Sequence, residues 1–250
     1  MPGKDCALVN SPSGSSNSAG SAGPPRRLIY GRRRGRKLRA GQAGLWASLL
    51  PELRFAVPAE GTLDPRALFA APAEQIWLEI GFGAGEHLVA QAQAHPAVGF
   101  IGVEIFETGV AKLVAAVAAA KLGNIRILID DARLLLAALP DRVLDRVFIL
   151  FPDPWPKKRH QKRRIVAPPT LAALARTMRP GAELRLATDD PDYLREMLAA
   201  ATETPAFEWL ARRADDWRSR PSDWPATRYE KKALAAGRAP TFLRFRRSER

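Results

Sequence analysis

The chain has 250 residues, 46% of them hydrophobic, one cysteine and a formal charge of +13. That length and apolar share can bury one sizeable core, and the charge excess points to a polyanionic partner, either nucleic acid or an anionic membrane surface. Cys6 alone cannot build a disulfide framework, and His87, His95 and His160 share no ligand spacing, so no metal site is expected. No apolar run approaches the roughly 18 residues of a membrane span, and no apolar signal core opens the chain, so a soluble, cytoplasmic protein is expected.

Residues 1–25 are mostly Ser, Gly, Ala and Pro, with little to offset the entropy of ordering a backbone, and read as a disordered tail. Through residue 40 the chain carries nine Lys/Arg against one Asp, which is +8 of the net +13. Residues 26–45 therefore read as a basic RNA-binding arm along phosphates, with a solvated leader or a transit peptide as plainer alternatives. Residues 46–250 read as one domain. From residue 76, short apolar runs alternate with helix-length segments, the pattern of an α/β fold with a doubly wound, mostly parallel sheet. The expected order is strand 76–80, helix 86–94, strand 99–105, helix 108–122, strand 125–129, a short helical stretch and strand 142–151. Val110, Leu113, Val114 and Val117 give the 108–122 helix an apolar face, and Gly123-Asn124 its end. Pro152, Pro154 and Pro156 then make a stiff loop. Helix 170–178, a turn at Pro180-Gly181, strand 184–188, helix 191–201 and strand 241–247 complete the order.

Three segments carry chemistry. In LEIGFGAGEH, residues 78–87, a strand runs into Gly81, Gly83 and Gly85 and then a helix, which lets a ligand approach the backbone closely. Glu86 stands where a dinucleotide fingerprint has its third glycine, and Glu79 lies two places before the first. Such carboxylates repel a pyrophosphate but not a cationic, phosphate-free donor, which favours S-adenosylmethionine over NAD. Glu104 in GVEIF ends the second strand, where a carboxylate can accept ribose hydroxyls, and Asp130-Asp131 extend the same edge, with an adenine contact at Asp131. In FILFPDPWPKKRHQKRRI, residues 148–165, Asp153 at the sheet edge and the stacking face of Trp155 lead into Lys157, Lys158, Arg159, Lys162, Arg163 and Arg164 with no acid among them. A solvated basic face explains the charges but not their position beside a nucleoside site.

With YGRRRGRKL, ATDD and TRYEKK, these segments resemble the bacterial tRNA (guanine-N7)-methyltransferase family over nearly all of the chain after residue 26. The resemblance implies the class I, Rossmann-like fold and methylation of guanine 46 in the tRNA variable loop. It implies a donor site at Glu79, Gly81, Gly83, Glu104, Asp131 and Asp153, with Asp153 also catalytic. Substrate contacts are implied at Lys157, Asp189, Thr227, Arg228, Tyr229 and Glu230, and RNA contacts at Arg159, His160, Gln161, Lys162, Arg163 and Arg164. Asp130 departs from the His of many members, and TRYE from their TKFE. Guanine N7 carries a lone pair and no proton, so Asp153 is expected to orient the purine and not to act as a base. A methyltransferase for another RNA or a small molecule, and a non-catalytic RNA-binding module, remain the alternatives. A monomer is expected, with a dimer left open.

Overall fold

The computed structural model describes residues 30, 33–35 and 37–249. The expected tail, 1–25, and residues 26–29, 31, 32 and 36 of the expected arm lie outside the described residues. The strands are β1 (Gln75–Ile80), β2 (Val98–Val103), β3 (Ile125–Leu128), β4 (Leu144–Leu150), β5 (Met178–Thr188), β6 (Phe207–Trp209) and β7 (Thr241–Arg247). The helices are α1 (Ala40–Ser48), α2 (Leu50–Leu53), α3 (Glu86–Ala94), α4 (Glu107–Ala120), α5 (Ala132–Ala138), α6 (Pro168–Thr177), α7 (Pro191–Thr202), α8 (Asp215–Arg218) and α9 (Arg228–Ala235). The helix α1 runs across the boundary expected between residues 45 and 46.

The sheet has the order β3-β2-β1-β4-β5-β7-β6, parallel through β5, with β7 antiparallel between β5 and β6. Period-two alternation sends successive side chains to opposite faces. Ile76, Leu78 and Ile80 of β1 join one core with Leu135 of α5, Leu171 of α6 and Met197 of α7. Trp77 joins a second core with Leu88 of α3 and Val110, Leu113, Val114 and Val117 of α4. Both faces are thus covered, which is why the central strands read as mostly apolar runs. Among the described residues no helix is long and apolar enough to cross a membrane.

Four details differ from the sequence-based expectation. The strand β2 ends at Val103, before the expected 105, because the N–H groups of Ile105 and Phe106 turn to the Glu104 carboxylate. The left-handed residue ending α4 is Lys121 (φ 52°), with the Leu122 N–H returning to the Val117 carbonyl; Asn124 instead donates to the Ala92, His95 and Val98 carbonyls. The strand β5 begins at Met178, and the expected turn at Pro180-Gly181 is an exposed bulge within it, where register shifts between Leu144 and Arg146. The edge strand β6 and the helices α1, α2, α8 and α9 are additional.

Gly109 in the first turns of α4 lies where an added Cβ would sit 2.1 Å from the Gly83 carbonyl oxygen, whereas at Gly44 in α1 nothing lies within 4 Å. Helix propensity alone favours alanine at both sites by about 1 kcal/mol. Gly44→Ala is expected to raise the melting temperature by about 2–4 °C, and Gly109→Ala to lower it, because the backbone contact outweighs the propensity gain. Thermal unfolding by circular dichroism checks the opposite signs.

Candidate active site

The site begins where β1 ends. Gly81, Gly83 and Gly85 have φ of 76°, 59° and 81°, a left-handed conformation that an L side chain resists. Each of their N–H groups has a partner: the Val103 carbonyl for Gly81 (2.8 Å), the Phe82 carbonyl for Gly85 (2.9 Å) and Glu104 Oε2 for Gly83 (2.9 Å). Glu104 Oε1 accepts from Ile105 at 2.7 Å and Phe106 at 3.0 Å. One carboxylate therefore fastens the glycine turn to the end of β2. Burial raises its pKa above the ordinary glutamate value, against the lowering effect of its three backbone hydrogen bonds, and the Asp153 charge adds to the rise.

A cavity of about 360 Å³ opens beside this carboxylate. It is lined by Gly81 and Gly83 after β1, Glu104 after β2, Asp130 and Asp131 after β3, and Pro152 and Asp153 after β4. It thus lies at the carboxyl ends of the strands, where the strand order reverses between β1 and β4, the usual ligand crevice of such sheets. Its charged lining residues are the carboxylates of Glu104, Asp130, Asp131 and Asp153 and the guanidinium groups of Arg133 and Arg163. Asp131 is buried; it caps α5 by accepting from the Arg133 N–H at 3.0 Å and pairs with Arg133 Nη1 at 3.3 Å. Asp153 is exposed and has no hydrogen bond or ion pair to the described residues. Arg163 stacks on two further lining residues, its guanidinium 4.8 Å from the Trp155 ring and 5.2 Å from that of Tyr30. Among the described residues no group of three or more His, Cys, Asp or Glu is placed to hold a metal ion.

Glu79 does not line this cavity. It is buried behind the glycine turn, with Oε2 2.7 Å from Nδ1 of the equally buried His87, a hydrogen-bond contact between the two side chains. Glu79 lines a small adjoining cavity with Thr227 and Tyr229. Tyr229 lines both cavities and packs on the glycine turn: an added Cβ on Gly83 would stand 3.0 Å from its ring. Arg228 lies over the Tyr229 ring at 4.8 Å and pairs with Glu86 at 3.8 Å. Thr227 caps α9 by accepting from the Glu230 N–H at 3.2 Å. Glu230 and Asp189 line neither cavity; Glu230 pairs with Arg220 at 3.0 Å and Asp189 with Arg238 at 2.6 Å.

After the proline loop, residues Lys158–Arg163 wind into a 3-10 turn. Lys157, Lys158, Arg159 and Lys162 are exposed, while His160, Gln161 and Arg163 are half-buried. Partial desolvation and the surrounding cations Arg163, Arg159, Lys157 and Lys162 hold His160 below the ordinary histidine pKa. Arg164 differs from its expected place along RNA: its side chain is 1% exposed and turned inward. Sequence reasoning also passed over Gly109, whose signal was a glycine inside an apolar helix pattern, and the partnership of His87 with Glu79.

The buried Glu79–His87 contact yields a prediction. His87→Ala leaves the 4%-exposed Glu79 carboxylate without its partner and is expected to cost about 3–5 kcal/mol in urea unfolding, whereas Glu79→Gln, which keeps an acceptor, costs less. Equal costs would contradict the pairing.

Residues 73–243 match the family model described as "Putative methyltransferase". The tRNA (guanine-N(7)-)-methyltransferase of Rhodospirillum rubrum is 52% identical over 225 residues, 89% of this chain and 88% of that protein. The protein of the same name from Azorhizobium caulinodans is 49% identical over 219 residues, 88% of this chain and 94% of that protein. Among solved structures, the 16S rRNA methyltransferase KamB superposes with a TM-score of 0.54 at 17% identity, covering 76% of this chain and 95% of that one. That likeness concerns the fold alone. On its sequence matches over most of its length, the chain belongs to the tRNA (guanine-N7)-methyltransferase family.

Proposed function

We propose that this protein transfers the methyl group of S-adenosylmethionine to N7 of a guanine in tRNA, the guanine at position 46 of the variable loop. The observation that carries the donor reading is the hydrogen bond from the Gly83 N–H to Glu104. In a dinucleotide site the N–H groups of the glycine turn are left for a pyrophosphate. Here a carboxylate takes that place, and the N–H groups of Gly81 and Gly85 are also engaged within the protein. Together with the carboxylates of Asp130, Asp131 and Asp153, this lining suits a cationic nucleoside without phosphates.

When bound, S-adenosylmethionine supplies an electrophilic methyl group on a positively charged sulfur. The two oxygens of Glu104 offer about four lone-pair positions, and three backbone N–H groups use three of them, leaving acceptor capacity for a ribose hydroxyl. Asp131, Gly81 and Gly83 would complete the donor's surroundings, with Glu79 at the adjoining cavity. Guanine N7 has no proton to lose, so no general base is required. The residues' task is alignment, which can supply up to roughly 7–11 kcal/mol of a barrier. Asp153, exposed and unpaired among the described residues, would accept from the purine N–H groups and offset the positive charge that grows on the base. Drawing the base out of a folded RNA costs a few kcal/mol, which phosphate contacts by Lys157, Arg159 and Lys162 would offset.

Incubating tRNA with the protein and S-adenosylmethionine, followed by mass analysis of the digested nucleosides, tests the reading. 7-methylguanosine at position 46 is expected; a different methylated nucleoside, or none, contradicts it. Asp153→Asn is expected to lower the single-turnover rate at least tenfold with little change in tRNA affinity, because the amide loses the charge and presents a donor to the purine. The pH dependence of donor binding has a definite sign. Below its folded pKa Glu104 is protonated, so donor affinity falls as pH is lowered, and burial makes that fall begin above the ordinary value of about 4.3. Glu104→Gln is expected to bind the donor more weakly at neutral pH and to lose this acid limb; calorimetric titration across pH checks both.

A further inference from the structure

Arg164 is a cation taken out of water at the end of a basic segment that is otherwise at least partly accessible. Its Nε donates to the Pro154 carbonyl at 2.7 Å, Nη1 pairs with Glu196 Oε2 at 2.5 Å, and its guanidinium lies 4.6 Å from the Tyr193 ring. Neither Nη1 nor Nη2 makes a hydrogen bond to the described residues, so the Glu196 contact is an ion pair without hydrogen-bond geometry. A buried, incompletely satisfied guanidinium is a poor way to fill a core, since an apolar side chain of similar size avoids the desolvation altogether.

What it holds is the loop that carries Asp153. Residues 152–156 belong to no helix or strand, and among the described residues the Arg164–Pro154 contact is the one hydrogen bond that reaches their backbone. The loop is strained at both ends: Phe151 and Trp155 have φ of 51° and 44°, a conformation that L side chains adopt only when the surroundings impose it. Pro154 lies between Asp153 and Trp155, both of which line the large cavity, and Arg164 itself does not. Glu196, on α7, fixes the other end of the guanidinium.

We propose that Arg164 is a positioning residue, holding the Pro154 carbonyl and thereby Asp153 and Trp155 in the geometry that methyl transfer requires, and adding nothing to RNA affinity. The proposal rests on the tRNA-methylation reading above. It also separates Arg164 from the neighbouring cations, whose exposure suits them to phosphates.

The test uses the full chain and tRNA, with dissociation constants measured over a range of salt and single-turnover rates measured at saturating tRNA and donor. Arg164→Met is expected to lower the saturated rate at least tenfold while the dissociation constant stays within twofold and its salt slope is unchanged. Arg159→Ala should show the converse on binding, with a larger dissociation constant and a flatter slope. Glu196→Gln retains an acceptor for Nη1 and the Nε bond to Pro154, and is expected to stay within threefold of the parent rate. Arg164→Lys keeps the charge but cannot span Pro154 and Glu196 together, and should fall between parent and Arg164→Met. Because Glu196 is 46% exposed, water can take up its charge when Arg164 is replaced, which favours a folded variant. Should Arg164→Met still fail to fold, the Lys and Gln variants decide. A parental saturated rate in Arg164→Met or Arg164→Lys, or a flatter salt slope in either, overturns the proposal. If the parent itself produces no 7-methylguanosine in tRNA, the underlying reading fails; if the parent is active and the variants match it, only the positioning role fails.

Discussion

The hydrogen bond between the Glu104 carboxylate and the Gly83 N–H is the constraint on which the site depends. The other oxygen of the same carboxylate gathers the Ile105 and Phe106 N–H groups, where β2 has ended at Val103. The glycine turn lies so close to α4 that a Cβ added at Gly109 would stand 2.1 Å from the Gly83 carbonyl oxygen. The hydrogen bond from Gly83 also removes the N–H that would otherwise invite a phosphate to the start of α3. On the proposed donor reading, Glu104 together with the neighbouring carboxylates biases a fold shared by many nucleotide-binding proteins toward a cationic ligand.

Charge is divided across the site. The cavity carries the carboxylates of Glu104, Asp130, Asp131 and Asp153, while the segment after the proline loop is basic and largely exposed. Arg163 joins the two: its guanidinium stacks on Trp155 and on Tyr30, which belongs to the basic N-terminal segment. The cavity proposed for the donor and the exposed cations that would meet a phosphate backbone thus lie side by side, with Arg163 and Asp153 at the border between them.

The doubly wound fold was legible because each central strand is apolar on both faces and α4 repeats its apolar residues at helical spacing, with Val110, Leu113, Val114 and Val117 all buried. The edge strand β6 has three residues and a mixed burial pattern, too little for periodicity to register. Glu104 and Asp153 were legible as strand-end carboxylates, because their place in the chain fixes their place at the sheet edge. What was not legible were partners distant in the chain. Arg164 reads as one more exposed cation until the 3-10 turn delivers it to Glu196 and Tyr193, and nothing in the sequence shows that Asp189 pairs with Arg238 or Glu230 with Arg220. A charge run in sequence records composition but not which member turns inward.

The central claim is that the glycine turn, closed by Glu104, accepts a cationic phosphate-free nucleoside and refuses a pyrophosphate. Calorimetric titration of the full chain with S-adenosylmethionine and, separately, with NAD tests it most directly. Saturable binding of S-adenosylmethionine with no measurable NAD binding is the predicted result; NAD binding of equal or greater affinity would contradict it.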